Sequence, residues 1–156
     1  MNKIPCSVYI VTLNCGAWLE RTLQSVSEFD EVIILDSGST DNTYEIAERF
    51  ENTQISHQDW QGYAGQKSLA LAKCRNDWVL NLDGDEVLSN ELKQEIVETI
   101  QQNKLDALIT PINDVFLGFP NSKHTKKHAK VRFFRKSKGH YDLANKVHEN
   151  VVVDGK

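Results

Sequence analysis

Residues 79–86, Val-Leu-Asn-Leu-Asp-Gly-Asp-Glu, predict a buried strand that ends in two carboxylates with one glycine between them. Because alternate residues of an extended chain point the same way, Asp83 and Asp85 can face one point in space. Carboxylate oxygens suit Mg²⁺ or Mn²⁺, and such an ion usually shares its remaining positions with phosphate oxygens. An Asp-x-Asp pair is short and common in loops, so its meaning depends on the segments around it.

Apolar strands alternate with amphipathic helices upstream and downstream of this pair. The helix that Ser89 opens has the clearest pattern, with Leu92, Ile96 and Ile100 spaced by four. Alternation of this kind is typical of parallel β-α-β units, so we expect an α/β fold with a mostly parallel central sheet flanked by helices. The predicted strands cover residues 7–13, 31–36, 53–57, 77–82 and 107–112, and the other predicted helices cover 17–29, 64–73 and a segment capped within 40–42 that ends at 50.

Polar side chains follow three of the predicted strands. The carboxyl ends of parallel strands meet at one edge of a sheet, where ligands bind in such folds. Convergence of three polar pairs on one edge therefore predicts a binding site there. The pairs are Thr12 with Asn14, Asp36 with Ser37, and Asp83 with Asp85.

The pattern changes after residue 113. Residues 114–128 contain Gly118, Pro120 and a run rich in Lys and His, which predict a mobile loop. Residues 131–135 and 147–153 predict later strands that are antiparallel or mixed with the others. We see no linker that would mark a second domain, so one domain is expected over residues 1–156.

The charge of the chain is unevenly distributed. The net charge of −4 argues against general nucleic-acid binding. Residues 1–122 hold 8 Lys and Arg against 19 Asp and Glu, whereas residues 123–138 hold 8 Lys and Arg and no acid. The basic stretch suits a lid over a diphosphate, contact with a phosphorylated lipid or an anionic membrane face, or simply a solvated loop.

The cysteine content and the hydrophobic pattern suggest a cytoplasmic location. Three cysteines without metal-ligand spacing (Cys6, Cys15 and Cys74) predict reduced thiols, with Cys6 and Cys74 in structural positions. We see no signal peptide and no apolar run near the ~20 residues of a transmembrane helix. The same observations are compatible with peripheral contact between the protein and the inner face of the cytoplasmic membrane.

Three motifs in this order resemble the family 2 glycosyltransferases with the GT-A fold. They are Thr-x-Asn at 12–14, Ile-Leu-Asp-Ser-Gly-Ser-Thr-Asp-Asn-Thr at 34–43 and Leu-Asp-Gly-Asp-Glu at 82–86. Val-Arg-Phe-Phe-Arg at 131–135 and Val-His-Glu at 147–149 are similar to later segments of the small bacterial lipopolysaccharide-core β-glucosyltransferases. The chain departs from the commonest pattern at Ser37, where many members have a second Asp, and at residues 66–68, Gln-Lys-Ser, where many have Ala-Arg-Asn.

The resemblance implies a role for each matching position. Residues 1–113 would be the nucleotide-sugar-binding half, and 114–156 would be the basic loop and the start of the acceptor-side half. Asp36 would accept the N3–H of uracil, and Asp83 and Asp85 would approach the metal and the ribose–diphosphate. The remaining nucleotide-binding positions would be Thr12, Asn14, Gln66 and Lys67.

Transfer of a sugar from a nucleoside diphosphate needs neutralisation of the leaving group, a base for the acceptor hydroxyl and correct alignment. Mg²⁺ or Mn²⁺ on Asp83 and Asp85 would meet the first need. Glu149 is our candidate base; Asp142 is the alternative, and Glu86 is a candidate supporting group. His148 is a candidate third metal ligand or diphosphate contact, and Arg132 and Arg135 are candidate diphosphate contacts.

The three tryptophans receive different predictions. Trp18 and Trp78 fall in helix and strand patterns, which favour core packing. Trp60 falls in a loop at the predicted active edge, where it could contact nucleotide or acceptor.

These observations lead to one leading function and two rivals. The leading one is an inverting transfer of a hexose, glucose from UDP-glucose, to a glycolipid or saccharide acceptor of a bacterial lipopolysaccharide core or related surface glycan. The first rival is a nucleotide-sugar-binding domain without turnover, expected if the chain is truncated within its acceptor-side half. The second is a phosphate-transfer enzyme with Asp83 as nucleophile, which is disfavoured because such enzymes carry Asp-x-Asp after the first strand.

Overall fold

A six-stranded sheet forms the centre of the molecule. The computed structural model describes residues 2–112, 115–116, 119–120, 128–144 and 149–156. The sheet contains β1 (Ile4–Thr12), β2 (Phe29–Asp36), β3 (Thr53–His57), β4 (Trp78–Asn81), β5 (Ala107–Ile112) and β8 (His128–Arg135), in the order β3-β2-β1-β4-β8-β5. Two short antiparallel pairs lie outside it: β6 (Val115–Phe116) with β7 (Phe119–Pro120), and β9 (Gly139–Tyr141) with β10 (Val151–Val153).

Helices cover both faces of this sheet. They are α1 (Leu19–Ser25), α2 (Thr43–Glu48), α3 (Tyr63–Ala72) and α4 (Asn90–Gln102). Successive side chains of β1 point to opposite faces of the sheet, so the protein has one hydrophobic core on each face. Val8 and Ile10 pack with α1, α2 and α4 on one face, and Tyr9 packs with α3 on the other. Phe133 and Phe134 divide in the same way between the two faces.

The parallel register brings the ends of three strands to one level. Thr12 pairs with Asp36 across β1 and β2, and Asp36 pairs with His57 across β2 and β3. On the other side of β1, Tyr9 pairs with Asn81 at the end of β4. The segments that follow these residues therefore share the carboxyl edge of the sheet.

Strand β8 runs antiparallel to both of its neighbours, β4 and β5. Its register sets Phe133 against Leu80 and Arg135 against Trp78. Residues early in β8 therefore lie towards the carboxyl edge of the parallel strands, and Arg135 lies towards the opposite edge.

The α/β architecture predicted from the sequence is confirmed, as are the later antiparallel strands. The predicted helix at 17–29 is too long, because the chain leaves α1 after Ser25 and Phe29 already pairs with Ile4 in the sheet. Strands β6 and β7 lie in the stretch predicted as a loop, and the rest of 113–127 is outside the described residues. The short β9 was not predicted, and β10 begins at Val151, later than expected.

The packing of the tryptophans and cysteines matches the predictions except at Trp18. Trp78, Cys6 and Cys74 are buried, as predicted. Trp18 is 55% exposed, because it lies before the first turn of α1 and points away from the core. Within the described part of the chain, no helix has the length and hydrophobicity needed to cross a bilayer.

Candidate functional site

The Asp36 carboxylate is buried at the end of β2 and accepts four hydrogen bonds. Oδ1 accepts from the backbone N–H groups of Gly38 (2.8 Å) and Ser39 (2.7 Å), and Oδ2 accepts from the hydroxyls of Thr12 (2.7 Å) and Ser39 (2.5 Å). Burial raises the pKa of Asp36, but the bonds from Ser39, Thr12 and Gly38 outweigh it and lower the pKa. A direct bond from Asp36 to a nucleobase would have to replace one of these four.

Asn14 joins the loop after β1 to the loop after β2. It has a left-handed backbone, with φ of 53°. Its Oδ1 accepts from the Thr40 N–H at 2.8 Å, and its own N–H donates to Ser39 Oγ at 2.7 Å. The side chains of Asn14 and Thr12 thus fix the shape of the edge, which is the arrangement a pre-formed binding site requires.

Gln66 performs a similar task from the first turns of α3. Its side chain is fully buried, and Nε2 donates to Gln58 O at 3.0 Å and to Ser37 Oγ at 3.3 Å. Its Oε1 accepts from the Gln61 N–H at 3.3 Å. Gln66 therefore ties the loop after β3 to the end of β2, and its hydrogen-bonding groups face protein atoms.

Lys67 brings together two of the predicted site residues. Its buried ammonium lies 3.4 Å from Asp83 Oδ1 and 3.1 Å from Glu149 Oε1. Burial raises the pKa of Asp83, but Lys67 and Arg132 outweigh it, so the pKa falls below its usual range. The pKa of Glu149 is also lowered, because its own backbone N–H and Lys67 outweigh the effect of burial. Both carboxylates are therefore ionised at neutral pH.

Arg132 occupies the other side of Asp83. Its Nη2 lies 3.6 Å from Asp83 Oδ2, and its Nη1 lies 2.5 Å from Glu86 Oε1. Glu86 also accepts from the Asp83 N–H at 2.6 Å, and burial together with the Asp83 charge raises the pKa of Glu86. The Nε of Arg132 is buried and has no hydrogen-bond partner among the described residues. A buried donor of this kind costs about 1–3 kcal/mol until a ligand or water accepts from it.

These side chains form a row of alternating charges, which we call the charge row. It runs from Lys130 through Glu149, Lys67, Asp83 and Arg132 to Glu86, with successive partners no more than 3.9 Å apart. Three cations balance three carboxylates. A cavity of about 170 Å³ opens beside the row, and its polar lining includes Lys67, Asn81, Lys130, Arg132, Tyr141 and Glu149.

Asp85 is the exposed member of the predicted metal pair. The two carboxylates fit a hard divalent cation by ligand type, and Asp85 faces open solvent at the edge of the site. Asp83 is shared with Lys67 and Arg132, so an ion there would compete with two cations. No group of three potential metal ligands occurs among the described residues, and His148 lies outside them.

Gly84 allows the loop between the two aspartates to approach Cys15. Alanine at this position is expected to disturb the loop, because its Cβ would lie 2.8 Å from Cys15 Sγ. Overpacking of this kind costs about 1–3 kcal/mol, which corresponds to a melting temperature lower by roughly 2–12 °C. Thermal unfolding of Gly84→Ala, Cys15→Ala and the double variant measures it. If Gly84→Ala lowers the melting temperature as much in the Cys15→Ala background as in the parent protein, contact with the Cys15 thiol is not the cause of the loss.

The predicted site residues Arg135 and Asp142 make no hydrogen bond or ion pair with the charge row among the described contacts. Arg135 lies at the opposite edge of the sheet, where its Nε bonds Asp106 at 3.1 Å and its guanidinium stacks 4.1 Å above the ring of Trp78. Because β8 runs away from the site, the structure does not bring Arg135 together with Arg132 and Asp83, the other candidates for contact with a diphosphate. Asp142 is exposed, and its Oδ1 accepts from the Ala144 N–H at 3.0 Å within its own turn.

Asn81 and Tyr141 contribute to the cavity and were not predicted. Asn81 Nδ2 donates to Tyr9 O at 3.1 Å, and the Tyr141 hydroxyl is hydrogen-bonded to the hydroxyl of Tyr9. Asn81 is the one polar residue in the apolar sequence of β4, and this could have identified it as a site residue. Tyr141 is the last residue of the three-residue strand β9, whose sequence carries no comparable signal.

A family model described as glycosyl transferase family 2 matches residues 7–153, nearly the whole chain. The chain belongs to this family. In this chain the charge row is assembled from α3, β8, the segment after β4 and Glu149. Among curated relatives, the chain is 31% identical to the lipopolysaccharide core biosynthesis glycosyltransferase LpsC of Rhizobium meliloti, over 98% of this chain and 59% of LpsC. The chain thus spans about three fifths of the length of that relative.

Solved structures of glycosyltransferases share this fold, and they confirm the GT-A architecture expected from the motifs. TarS of S. aureus in complex with UDP-GlcNAc superposes with a TM-score of 0.64 and 25% identity, over 78% of this chain and 38% of that one. A mannosyltransferase from Pyrobaculum calidifontis in complex with GDP-Man and Mn²⁺ superposes with a TM-score of 0.56 and 19% identity, over 67% of this chain and 34% of that one.

Proposed function

We propose that this protein is an inverting, metal-dependent glycosyltransferase that moves glucose from UDP-glucose to a glycolipid or saccharide acceptor of a bacterial lipopolysaccharide core or related surface glycan. The charge row at the carboxyl edge of the sheet is the observation that carries this proposal. Similarity to LpsC supports the acceptor class, and UDP-GlcNAc in TarS supports a uridine donor.

The leaving diphosphate would lie against Arg132 and the Asp83–Asp85 loop. The unpartnered Nε of Arg132 is a donor that a phosphate oxygen can satisfy. Asp83 and Asp85 would hold Mg²⁺ or Mn²⁺, which when bound supplies positive charge to the leaving group. Lys67 keeps Asp83 ionised and oriented. The hydrogen bonds of Thr12, Asn14, Asp36 and Gln66 fix the shape of the edge that would receive the nucleoside.

Glu149 would act as the base in a single displacement. It would take the proton of the acceptor hydroxyl while that oxygen bonds to the anomeric carbon and the bond from that carbon to the diphosphate breaks. Attack from the face opposite the leaving group inverts the anomeric centre. Glu149 lines the cavity, and its bond to Lys67 fixes the carboxylate in one orientation.

Thermal unfolding with UDP, GDP, CMP and ADP, each with and without Mn²⁺, tests the donor site. We expect UDP with Mn²⁺ to raise the melting temperature, because a ligand at about 100 times its Kd adds about 2.7 kcal/mol to the stability of the folded state. That corresponds to roughly 5–10 °C for a chain of this length. An Asp83→Asn/Asp85→Asn variant is expected to lose the shift. An equal shift with all four nucleotides would contradict the uridine assignment.

UDP release from UDP-glucose separates the transferase from a binding domain without turnover. Both would give the melting shift, but only the transferase would release UDP when an acceptor is added.

Contact of residues 123–138 with an anionic membrane surface stays a prediction. Lys130, within this stretch, lies 3.9 Å from Glu149. Residues 121–127 are outside the described part of the chain.

Arg132→Ala is expected to raise the Kd for UDP-glucose by roughly 10- to 100-fold, because hydrogen bonds to charged groups contribute about 1.5–3 kcal/mol. Arg135→Ala is the matched control on the same strand. It should leave the Kd unchanged and lower the melting temperature, since Arg135 holds Asp106 and Trp78. Calorimetric titration of both variants measures this difference. Equal affinities in the two variants would remove Arg132 from the donor site.

A further inference from the structure

Two aromatic rings form an exposed corner beside the donor edge. Trp60 and Tyr63 are 50% and 59% exposed, their ring centroids are 4.8 Å apart and their planes are nearly perpendicular at 89°. We call this pair the aromatic corner. It lies where the loop after β3 enters α3, at the carboxyl edge of the sheet. Neither ring is used by the chemistry described above.

The loop that presents the aromatic corner is held from both sides. Gln58 N donates to Asp36 O at 2.8 Å, and the buried Gln66 side chain bonds the backbone of Gln58 and Gln61. Gly62 has a φ of 79°, which turns the backbone into α3. The backbone is therefore ordered while the two rings remain accessible, so a ligand would not have to order the loop.

The charge around the aromatic corner selects against phosphates. Residues 51–66 contain no Lys or Arg, and the ammonium of Lys67, one helical turn beyond Tyr63, is buried and paired with Asp83 and Glu149. The neighbouring Asp59 side chain is 88% exposed, and its Oδ1 lies 2.8 Å from Nε2 of His57. A nucleotide or an anionic lipid headgroup would meet a carboxylate there. A neutral sugar ring would instead find an aromatic face for its C–H groups and an acceptor for its hydroxyls.

We propose that Trp60 and Tyr63 form a subsite for a neutral hexopyranose unit of the acceptor glycan, with Asp59 accepting from a sugar hydroxyl. This inference rests on the proposed transferase function. It assigns the aromatic edge of the sheet to the acceptor and the charge row to the donor diphosphate. A sugar held at Trp60 therefore belongs to the glycan that the enzyme extends.

The indole N–H signals of the three tryptophans provide the test. Trp18 is the matched control, because it is 55% exposed and lies in another loop; Trp78 is a buried reference. Nuclear magnetic resonance of ¹⁵N-labelled protein is recorded during titration with methyl glucoside, methyl galactoside, lactose and maltose, with signals assigned by Trp18→Phe and Trp60→Phe. We expect a saturable shift of the Trp60 signal with at least one of these sugars and no shift of Trp18.

Tyr63→Ala is expected to weaken that sugar binding roughly three- to tenfold, the range of aromatic-pair contributions. The proposal is overturned if none of the sugars moves the Trp60 signal, or if Trp18 moves equally. It is also overturned if UDP alone moves Trp60 as strongly as the sugars do. Failure of the proposed transferase function is distinguishable, because it would appear as the loss of the UDP and Mn²⁺ melting shift, whatever the sugars do.

Discussion

Replacing Glu149 by glutamine is expected to slow hexose transfer by about 10²–10⁴-fold, the usual contribution of a positioned general base. The amide has nearly the shape of the carboxylate and can still accept the hydrogen bond from Lys67, but it cannot take a proton at neutral pH. Binding of UDP with Mn²⁺ should persist, since the diphosphate contacts that we propose come from Arg132 and the Asp83–Asp85 loop. UDP release from UDP-glucose with truncated lipopolysaccharide as acceptor measures the rate.

Asp142→Asn is the matched control for this experiment. Asp142 is exposed and bonded only within its own turn among the described contacts, so its replacement should leave the rate within about twofold of the parent, as is usual for surface changes away from a site. If Glu149→Gln keeps most of the activity, Glu149 is not the base. A slow Asp142→Asn variant would then identify the alternative.

Phe133→Ala is expected to lower the free energy of unfolding by about 3–5 kcal/mol, as large truncations in a core do. Phe133 is fully buried in β8 and stacks on Trp78, with ring centroids 4.7 Å apart and planes 4° from parallel. Because β8 lies between β4 and β5, neighbours on both sides limit collapse into the cavity. Urea denaturation followed by circular dichroism measures the change.

Ile109→Ala is the control for the core truncation. Ile109 lies on the adjacent strand β5 but is 72% exposed, so its replacement should change stability by about 0.5 kcal/mol or less. A loss at Phe133 as small as the loss at Ile109 would show that the stack with Trp78 contributes little.

The carboxyl edge of the sheet could be predicted because its signals are local. Each strand is an apolar run with a polar end, and parallel pairing follows from the alternation with helices. The 2.7 Å bond between Thr12 and Asp36 is the contact that this reasoning anticipates. The likeness to known glycosyltransferase motifs then gave these positions a chemistry that spacing alone could not.

The rest of the site depends on strand direction and on long-range pairs. The sequence of β8 does not show which end of the strand lies near the site, so it does not distinguish Arg132 from Arg135; the antiparallel register does. Lys67 and Glu149 are 82 residues apart in sequence, and no local pattern predicts that their charges meet. The burial of Asp36 under four hydrogen bonds is likewise a property of the folded edge.

The position of β8 has a consequence for how the protein is made. It is the last strand of the central sheet along the chain, yet it lies in the interior of that sheet, between β4 and β5. During synthesis, β1 to β4 can pair as soon as residue 81 has emerged, whereas β5 has no partner in the sheet until β8 arrives. A nascent chain therefore contains the Asp83–Asp85 loop before it contains Arg132. Lys67 is already present at that stage, but Lys130 and Arg132 reach the site only when β8 enters the sheet, and Glu149 follows β8 in the chain. The charge row is therefore completed only after the central sheet has closed.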